Sequence, residues 1–415
     1  MEKTDQQIFE EFASQLCRWG ISGETPAMGN QDIRYGLALQ KKRLERHHVK
    51  ISYRLSQRKD RQEQASSAVF SDLQYTNKLV WKAMHRETDF DRDGRRCLTT
   101  KDDELLYTVI TWLNGRTEVP PSYICPNCGA ISNVDALLEG CPYCHTRFLM
   151  PDLFPKVTNY YFLRDYGLGE AEARGRSARW MIAGGAVGFL IRLPGLIMDL
   201  LHGENLILLL FSLAFTMGIC AVLGYFALSI RLLGRVFGDA FKMVPRAAGQ
   251  ISAKKRLTDF MRQFDPGFTF EYFFGKVQGL LKILIFTDDR SGLAVYDGPE
   301  LDAGVFDCIV DAQFDGAVSL NGGRIEGEYC YLDLNVYMTD VYCCGSGLKR
   351  RSDLYQVGLC RNISRPVDYG FSVKKVNCKS CGASFDATRE RYCPYCGSRY
   401  ELREDDWVIT FIRKR

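Results

Sequence analysis

The sequence predicts an α+β protein built as two cone-like domains, each a helix on an antiparallel sheet and each ending in a zinc ribbon, joined by a transmembrane helical hairpin. Three observations predict it. Four C-x-x-C pairs fall into two groups, alternating apolar and polar runs precede each group, and two long apolar stretches lie between the halves. The boundaries read as an N-terminal α+β domain over residues 1–120, a first ribbon over 121–150 and a linker over 151–179. The hairpin follows at 180–230, with helices over 180–201 and 206–230. A juxtamembrane segment at 231–263 leads to a second α+β domain at 264–376, and a second ribbon with a closing strand occupies 377–415.

Composition agrees with folded domains. Of 415 residues, 46% are hydrophobic and 25% charged, which excludes wholesale disorder, and a net charge of +4 is too small to indicate a polynucleotide partner. The basic run from Lys41 to Arg61 is read first as a solvated face, with anionic lipid or polynucleotide contact as the alternative. The opening residues MEKTDQQIFEEFASQ are acidic and amide-rich where a secretory signal would be basic and then apolar, so no cleavable signal is expected.

In the first half a helix is expected over Asp5 to Trp19 and strands near His48 to Leu55, Val69 to His85 and Leu105 to Leu113, although the basic run could instead extend a helix. Within this region Asp89, Asp91, Asp93 and Gly94 imitate the start of a calcium loop. Thr100 stands where a bidentate Glu is needed and the flanks read as strands, so a polar hairpin turn is the better reading.

The cysteine pairs carry the strongest chemical signal. Cys125/Cys128 and Cys141/Cys144 are separated by twelve residues, and Cys378/Cys381 and Cys393/Cys396 by eleven, the spacing of a compact four-thiolate zinc site. Pro126, Pro142 and Pro394 preset the knuckle turns. Gly129, Gly382 and Gly397 permit the positive backbone angle that aims amides at sulfur. Two structural Zn2+ ions are therefore expected, with disulfides or redox dithiols as the competing reading. Cys141-Pro-Tyr-Cys144-His145 also spells a haem-attachment signature, but Cys125 and Cys128 already complete a ribbon, which leaves His145 as a surface residue.

Between the halves, Trp180 to Leu201 and Leu206 to Ile230 each reach the ~20 residues that cross a bilayer. The second carries no charge before its end. The first contains Arg192, Pro194 and Asp199; the two charges share a helical face and could pair or reach head groups, and Pro194 would kink the helix. Arg174, Arg176 and Arg179 precede the pair and Arg231, Arg235, Lys242 and Arg246 follow it, so both flanks point to the cytoplasm of a cell membrane. His202 to Asn205 makes only a tight tip, and Gly184 and Gly188 would allow close helix approach.

The second half repeats the design. A helix is expected over about Thr269 to Phe286, then strands over Phe306 to Leu320, Gly327 to Tyr342 and Leu354 to Asn362, and CPNCGA…CPYCHTRF recurs as CKSCGA…CPYCGSRY. Cys308, Cys330, Cys343, Cys344, Asp288 and Asp289 are its reactive residues. With no His in the last 200 residues, no phosphate loop and no nucleophile elbow, they define no catalytic set, and the four cysteines read as small apolar strand residues.

The runs FDPGFTFEYFFGKVQGLLKIL, CIVDAQFDGAVSL, YCYLDLNVYMTDVY and CKSCGASFDATRERYCPYCGSRYELREDDWVITFI resemble bacterial zinc-ribbon proteins carrying a Tim-forty-four-like domain. The resemblance covers about Phe264 to Ile412, with a fainter echo in the first 150 residues. It implies a fold similar to nuclear transport factor two and a non-enzymatic role in membrane-associated binding. It also implies metal ligation by Cys378, Cys381, Cys393 and Cys396 and a closing strand at Asp406 and Trp407. The expected function is thus a membrane-anchored, zinc-stabilised scaffold whose partners are the lipid bilayer and a protein. The alternative is a membrane-tethered nucleic-acid-binding or transcription-linked factor, and an enzyme with a pocket in the cone comes third.

Overall fold

The structure is a computed structural model of the 415-residue chain. It describes residues 3–58, 64–114, 122–125, 127–137, 140–146, 154–164, 170–201, 208–223, 254–302, 304–345, 347–374 and 376–415. The chain divides into two units. Residues 1–58, 62–165 and 250–415 form one, and residues 59–61 with 166–249 form the other.

In the larger unit the chain opens with helix α1 (Asp5–Ser22). Thr4 caps it by accepting the Gln7 N–H at 3.2 Å while Gln7 returns a bond to the Thr4 N–H at 2.8 Å, a reciprocal box that satisfies two otherwise orphaned amides. Its apolar face buries Ile8, Phe9, Phe12, Leu16 and Trp19. Helix α2 (Gln31–Arg46) follows, capped by the Asn30 side chain on the Ile33 N–H. The strands β1 (Val49–Gln57), β2 (Gln64–Ser71), β3 (Tyr75–Arg92) and β4 (Arg95–Leu113) come next. A short hairpin, β5 (Ser122–Ile124) with β6 (Ile131–Asn133), and one helical turn, α3 (Val134–Leu137), belong to the first cysteine cluster. Strand β7 (Lys156–Arg164) then closes a sheet of order β1-β3-β4-β7, all antiparallel, with β2 also on β3.

The second copy contains helix α6 (Phe270–Phe286), the turn α7 (Gly304–Asp307) and strands β8 (Ile309–Glu326), β9 (Tyr329–Cys344) and β10 (Gly347–Asn362). A two-residue pairing of β11 (Val376–Asn377) with β12 (Ser384–Phe385) marks the second cluster, and β13 (Val408–Lys414) closes a sheet of order β8-β9-β10-β13. Apart from β2, which lies between β1 and β3 in the chain and has no counterpart in the second copy, both sheets follow one plan: three antiparallel strands, a four-cysteine insertion, and a fourth strand on the third. The match extends to single residues. Gly29, after the first helix of the first copy, makes a parallel bridge to Val157 on β7, and Tyr296, after α6, makes one to Ile409 on β13. The expected internal repeat is therefore present in the topology.

Several boundaries differ from the sequence reading. The expected linker 151–179 contains β7, because KVTNYYFLR carries an alternating buried face and the first sheet closes only after its cysteine insertion. The basic run begins inside α2, whose lysines and arginines hid its buried positions Tyr35, Leu37 and Leu44. Residues 254–261 of the expected juxtamembrane segment are helical, and Leu257 and Met261 lie in the core.

The largest difference is that the two copies are not separate domains. Helix α6 is apolar on nearly every side, so one sheet cannot cover it, and α2 of the first copy packs on its remaining face. Tyr35 and Tyr161 join the core around α6, while Val310, Val341 and Leu348 of the second copy complete the core around Trp19 and Phe90 of the first.

The smaller unit holds α4 (Glu170–Leu201) and α5 (Leu208–Leu223). Its stretch Met181–Met198 is long and apolar enough to cross a membrane, about 27 Å at 1.5 Å per residue, and Ile182, Leu190, Ile191 and Met198 are exposed along it. Helix α5 is shorter over its described length, and the expected segment's 206–207 and 224–230 lie outside the described residues. α4 and α5 pack directly. A Cβ at Gly184 would stand 2.2 Å from the Cys220 carbonyl oxygen and one at Gly188 would stand 2.8 Å from the Cys220 Cβ, so these glycines are required by backbone approach. Arg192 Nε donates to Ser212 Oγ at 3.0 Å across the pair. The side chain of Asp199 and the tip at 202–205 lie outside the described residues, and the helix runs on through Pro194.

Candidate metal centres

All eight sequence-predicted ligands come together in two groups. Cys125, Cys128, Cys141 and Cys144 form one and Cys378, Cys381, Cys393 and Cys396 the other, with the sulfurs of each group within 4.8 Å of one another. Each group is held by two tight turns of identical design. The N–H groups of Gly129, His145, Gly382 and Gly397 bond the carbonyls of Cys125, Cys141, Cys378 and Cys393 at 2.8–2.9 Å. Those four residues adopt φ of 72°, 56°, 74° and 71°. Three are glycines, as the left-handed backbone prefers; His145 takes the same conformation in the fourth knuckle, with its ring exposed. The first cysteine of each knuckle then donates its own N–H to the residue five positions on, Ala130, Thr146, Ala383 or Ser398.

Sulfur spacing tests the chemistry. The pairs Cys125/Cys144, Cys128/Cys141, Cys378/Cys396 and Cys381/Cys393 stand 3.8, 3.6, 3.5 and 3.7 Å apart. A disulfide needs about 2.05 Å, and the edge of a tetrahedron of sulfurs 2.3 Å from a central zinc is about 3.8 Å. Four sulfurs at these separations fit a metal ion and leave no open position on it. Hydroxyls of Thr146 and Ser398, each 3.3 Å from a sulfur, hold the pKa of Cys144 and Cys396 down, to about 5 and about 6, while that of Cys128 and Cys381 is pushed up to about 12, so without a metal each group has one sulfur that favours the thiolate and one that favours the thiol.

The other residues singled out from sequence have structural partners. Asp93 (φ 51°) and Gly94 (φ 76°) form the two-residue turn between β3 and β4, while Asp89 accepts bonds from Thr99 and Arg54, so the calcium-like run is a hairpin. Asp288 meets Lys42, Arg43 and Arg46, and Asp289 accepts the Ser291 N–H. Cys330 and Cys343 are buried strand residues as expected, Cys308 is half-buried, and Cys344 is exposed and so is not a packing residue.

Sequence reasoning missed the polar clamps between the copies. Lys276 on α6 is buried, with Asp406 at 2.7 Å and Asp32 of α2 at 3.5 Å, while Asp32 also accepts the Ser372 hydroxyl and the Lys374 N–H. Gln40 of α2 donates to Asp311 at 2.8 Å, and Arg86, paired with Glu104 on its own sheet, also donates to Gln313 of the second copy. No local signal marks the clamps between copies, because Asp32, Gln40 and Arg86 each meet a partner more than 200 positions away. Comparison of the chain with protein-family models, with curated proteins and with solved structures returned no match.

Proposed function

We propose that the chain is a membrane-anchored, non-enzymatic scaffold whose two four-cysteine clusters each hold one structural zinc and whose folded unit lies wholly on the cytosolic side. The observation that carries the reading is the position of the apolar helices. They interrupt a single folded unit, because residues 62–165 and 250–415 on either side of them share one core. A bilayer cannot divide one core, so any crossing between those segments is even-numbered, which favours a hairpin of α4 and α5 over a lone span. The arginines and lysine on both flanks support the cytosolic face. Zinc is favoured by the all-sulfur donor set and the near-tetrahedral spacing, and a saturated metal supports a folding role over hydrolytic chemistry.

The resemblance to Tim-forty-four-like proteins belongs to the same reading, and the helix-over-sheet plan of each copy supports it. The nucleic-acid alternative draws less support than the basic run first offers, since Arg43, Arg46 and Arg54 are engaged by Asp288, Glu87 and Asp89. Cys97 in the first copy and Cys344 in the second are both exposed, so a membrane-impermeant maleimide reports sidedness directly. Labelling of both in inside-out vesicles and of neither in right-side-out vesicles is expected; labelling of the two from opposite faces sinks the proposal.

A further inference from the structure

Where the copies meet, α2, α6 and β7 leave a cleft, bordered by Gly36 on α2 and by Gly275 and Gly279 on α6. Gly275 has a packing reason, since a Cβ there would stand 2.5 Å from the Asn159 side chain. Gly36 and Gly279 have none, because a Cβ at either would meet nothing within 4 Å. A glycine inside a helix is destabilising against alanine, so two of them facing the same open space are better explained by what the space admits than by the protein's own packing.

The polar groups on the cleft share a second peculiarity. Asn159 is 5% exposed, yet among the described residues its side-chain amide has no hydrogen-bond partner. Gln278 is 3% exposed and donates only to the sulfur of Met338 at 3.8 Å, a weak acceptor. Lys282 lies over the Tyr160 ring and reaches its hydroxyl at 3.3 Å, with no carboxylate in ion-pair range among the described residues. By contrast the cleft's other charges, Lys276 and Asp32, satisfy one another together with Asp406. The surplus in the cleft is therefore one ammonium and two amides, set against apolar walls that include Leu280 and Ile283.

We propose that this cleft binds a small apolar monocarboxylate. The carboxylate sits on Lys282 Nζ, with the Asn159 and Gln278 amides as further donors, and the hydrocarbon lies in the space that Gly36 and Gly279 leave open. A dianion would bring a second charge with no second free cation among the described residues of the cleft, and a neutral ligand would leave the ammonium without its counter-charge.

The test is equilibrium dialysis of the detergent-solubilised full chain against radiolabelled hexanoate, an acid short enough that micelle uptake is linear in concentration. Saturable binding of one hexanoate per chain above that line is expected, and hexan-1-ol should not compete. Gly279→Leu, whose Cβ enters the cleft with no atom within 4 Å, should melt no lower than the parent and lose saturable binding. Lys282→Met should weaken binding about tenfold or more. Linear uptake alone by the parent chain, or unchanged hexanoate binding by Gly279→Leu, overturns the proposal; should Gly279→Leu melt low, unchanged binding by Lys282→Met does so instead.

Discussion

Arg43 offers the sharpest test of the packing between the copies. It lies on α2, yet its guanidinium is fully buried against the second copy, where it donates to the carbonyls of Phe306 at 2.7 Å, Asp307 at 3.1 Å, Ile285 at 3.3 Å and Phe286 at 3.4 Å and meets Asp288 at 3.2 Å. Ile285 and Phe286 are the last residues of α6, whose final four carbonyls have no partner inside the helix. Thr287 serves Ile283 and Arg290 serves Leu284 and Ile285, so Arg43 completes the set. Arg43→Met keeps much of the volume and removes every one of its donors. Asp288 keeps Lys42 and Arg46, but leaving the carbonyls of Phe306, Asp307 and Phe286 without this donor should cost about 3–5 kcal/mol, a fall of about 5–15 °C in melting temperature for a unit of this size. Arg46→Met is the control: it meets the same Asp288 at 2.8 Å but is 43% exposed, and should cost less than about 1 kcal/mol. Arg43→Lys should recover little, because one ammonium cannot span the end of α6 and the α7 carbonyls together. Scanning calorimetry of the purified full chain measures all three. Equal melting temperatures for Arg43→Met and Arg46→Met would refute the assignment of Arg43 as the bond between copies.

Three further outcomes follow from named contacts. Lys276→Met should leave Asp32 and Asp406 facing one another without a cation and lower the melting temperature by an amount similar to Arg43→Met, with partial recovery when Asp406→Asn is added; no recovery in that double variant would mean the clamp is not electrostatic. Gly184→Leu should separate α4 from α5, since its side chain would enter the Cys220 carbonyl, and should expose the pair to protease in membranes while the larger unit keeps its melting temperature. Burial raises the Asp340 carboxyl to about 6, above its ordinary range near 4, despite Lys414 at 3.0 Å. A raised acid binds its proton more tightly folded than unfolded, so the stability this group contributes is present below pH ~4 and lost as pH rises through 6. Relative to Asp340→Asn, the parent should therefore lose about 2–3 kcal/mol between pH 4 and pH 7, and a parallel pair of stability curves would contradict this.

What could be read from the sequence depended on how local the cause was. A C-x-x-C knuckle is a short turn with its own chemistry, so all eight ligands and the glycine positions were legible, and only His145, in the left-handed conformation of the fourth knuckle, broke the residue rule. Helix α6 announced itself by aromatic and aliphatic residues at helical spacing, and β9 by period-two alternation over Gly327 to Tyr342. Helix α2 was obscured because the cation that locks it in place, Arg43, stands in a run of lysines and arginines that elsewhere signals solvent. Strand β7 was hidden behind the cysteine insertion, which separates it from its partner β4. The union of the copies was not legible, because bonds such as Gln40 to Asp311 join residues that each look like ordinary surface positions in their own segment.

The central claim is that each four-sulfur group grips one zinc ion and that the ion holds its end of the fold together. Elemental analysis of purified full-length protein tests it most directly: two zinc ions per chain in the parent, one in Cys378→Ser or Cys125→Ser, and none when both are changed. Parent protein free of zinc, or single variants that keep both ions, would contradict it.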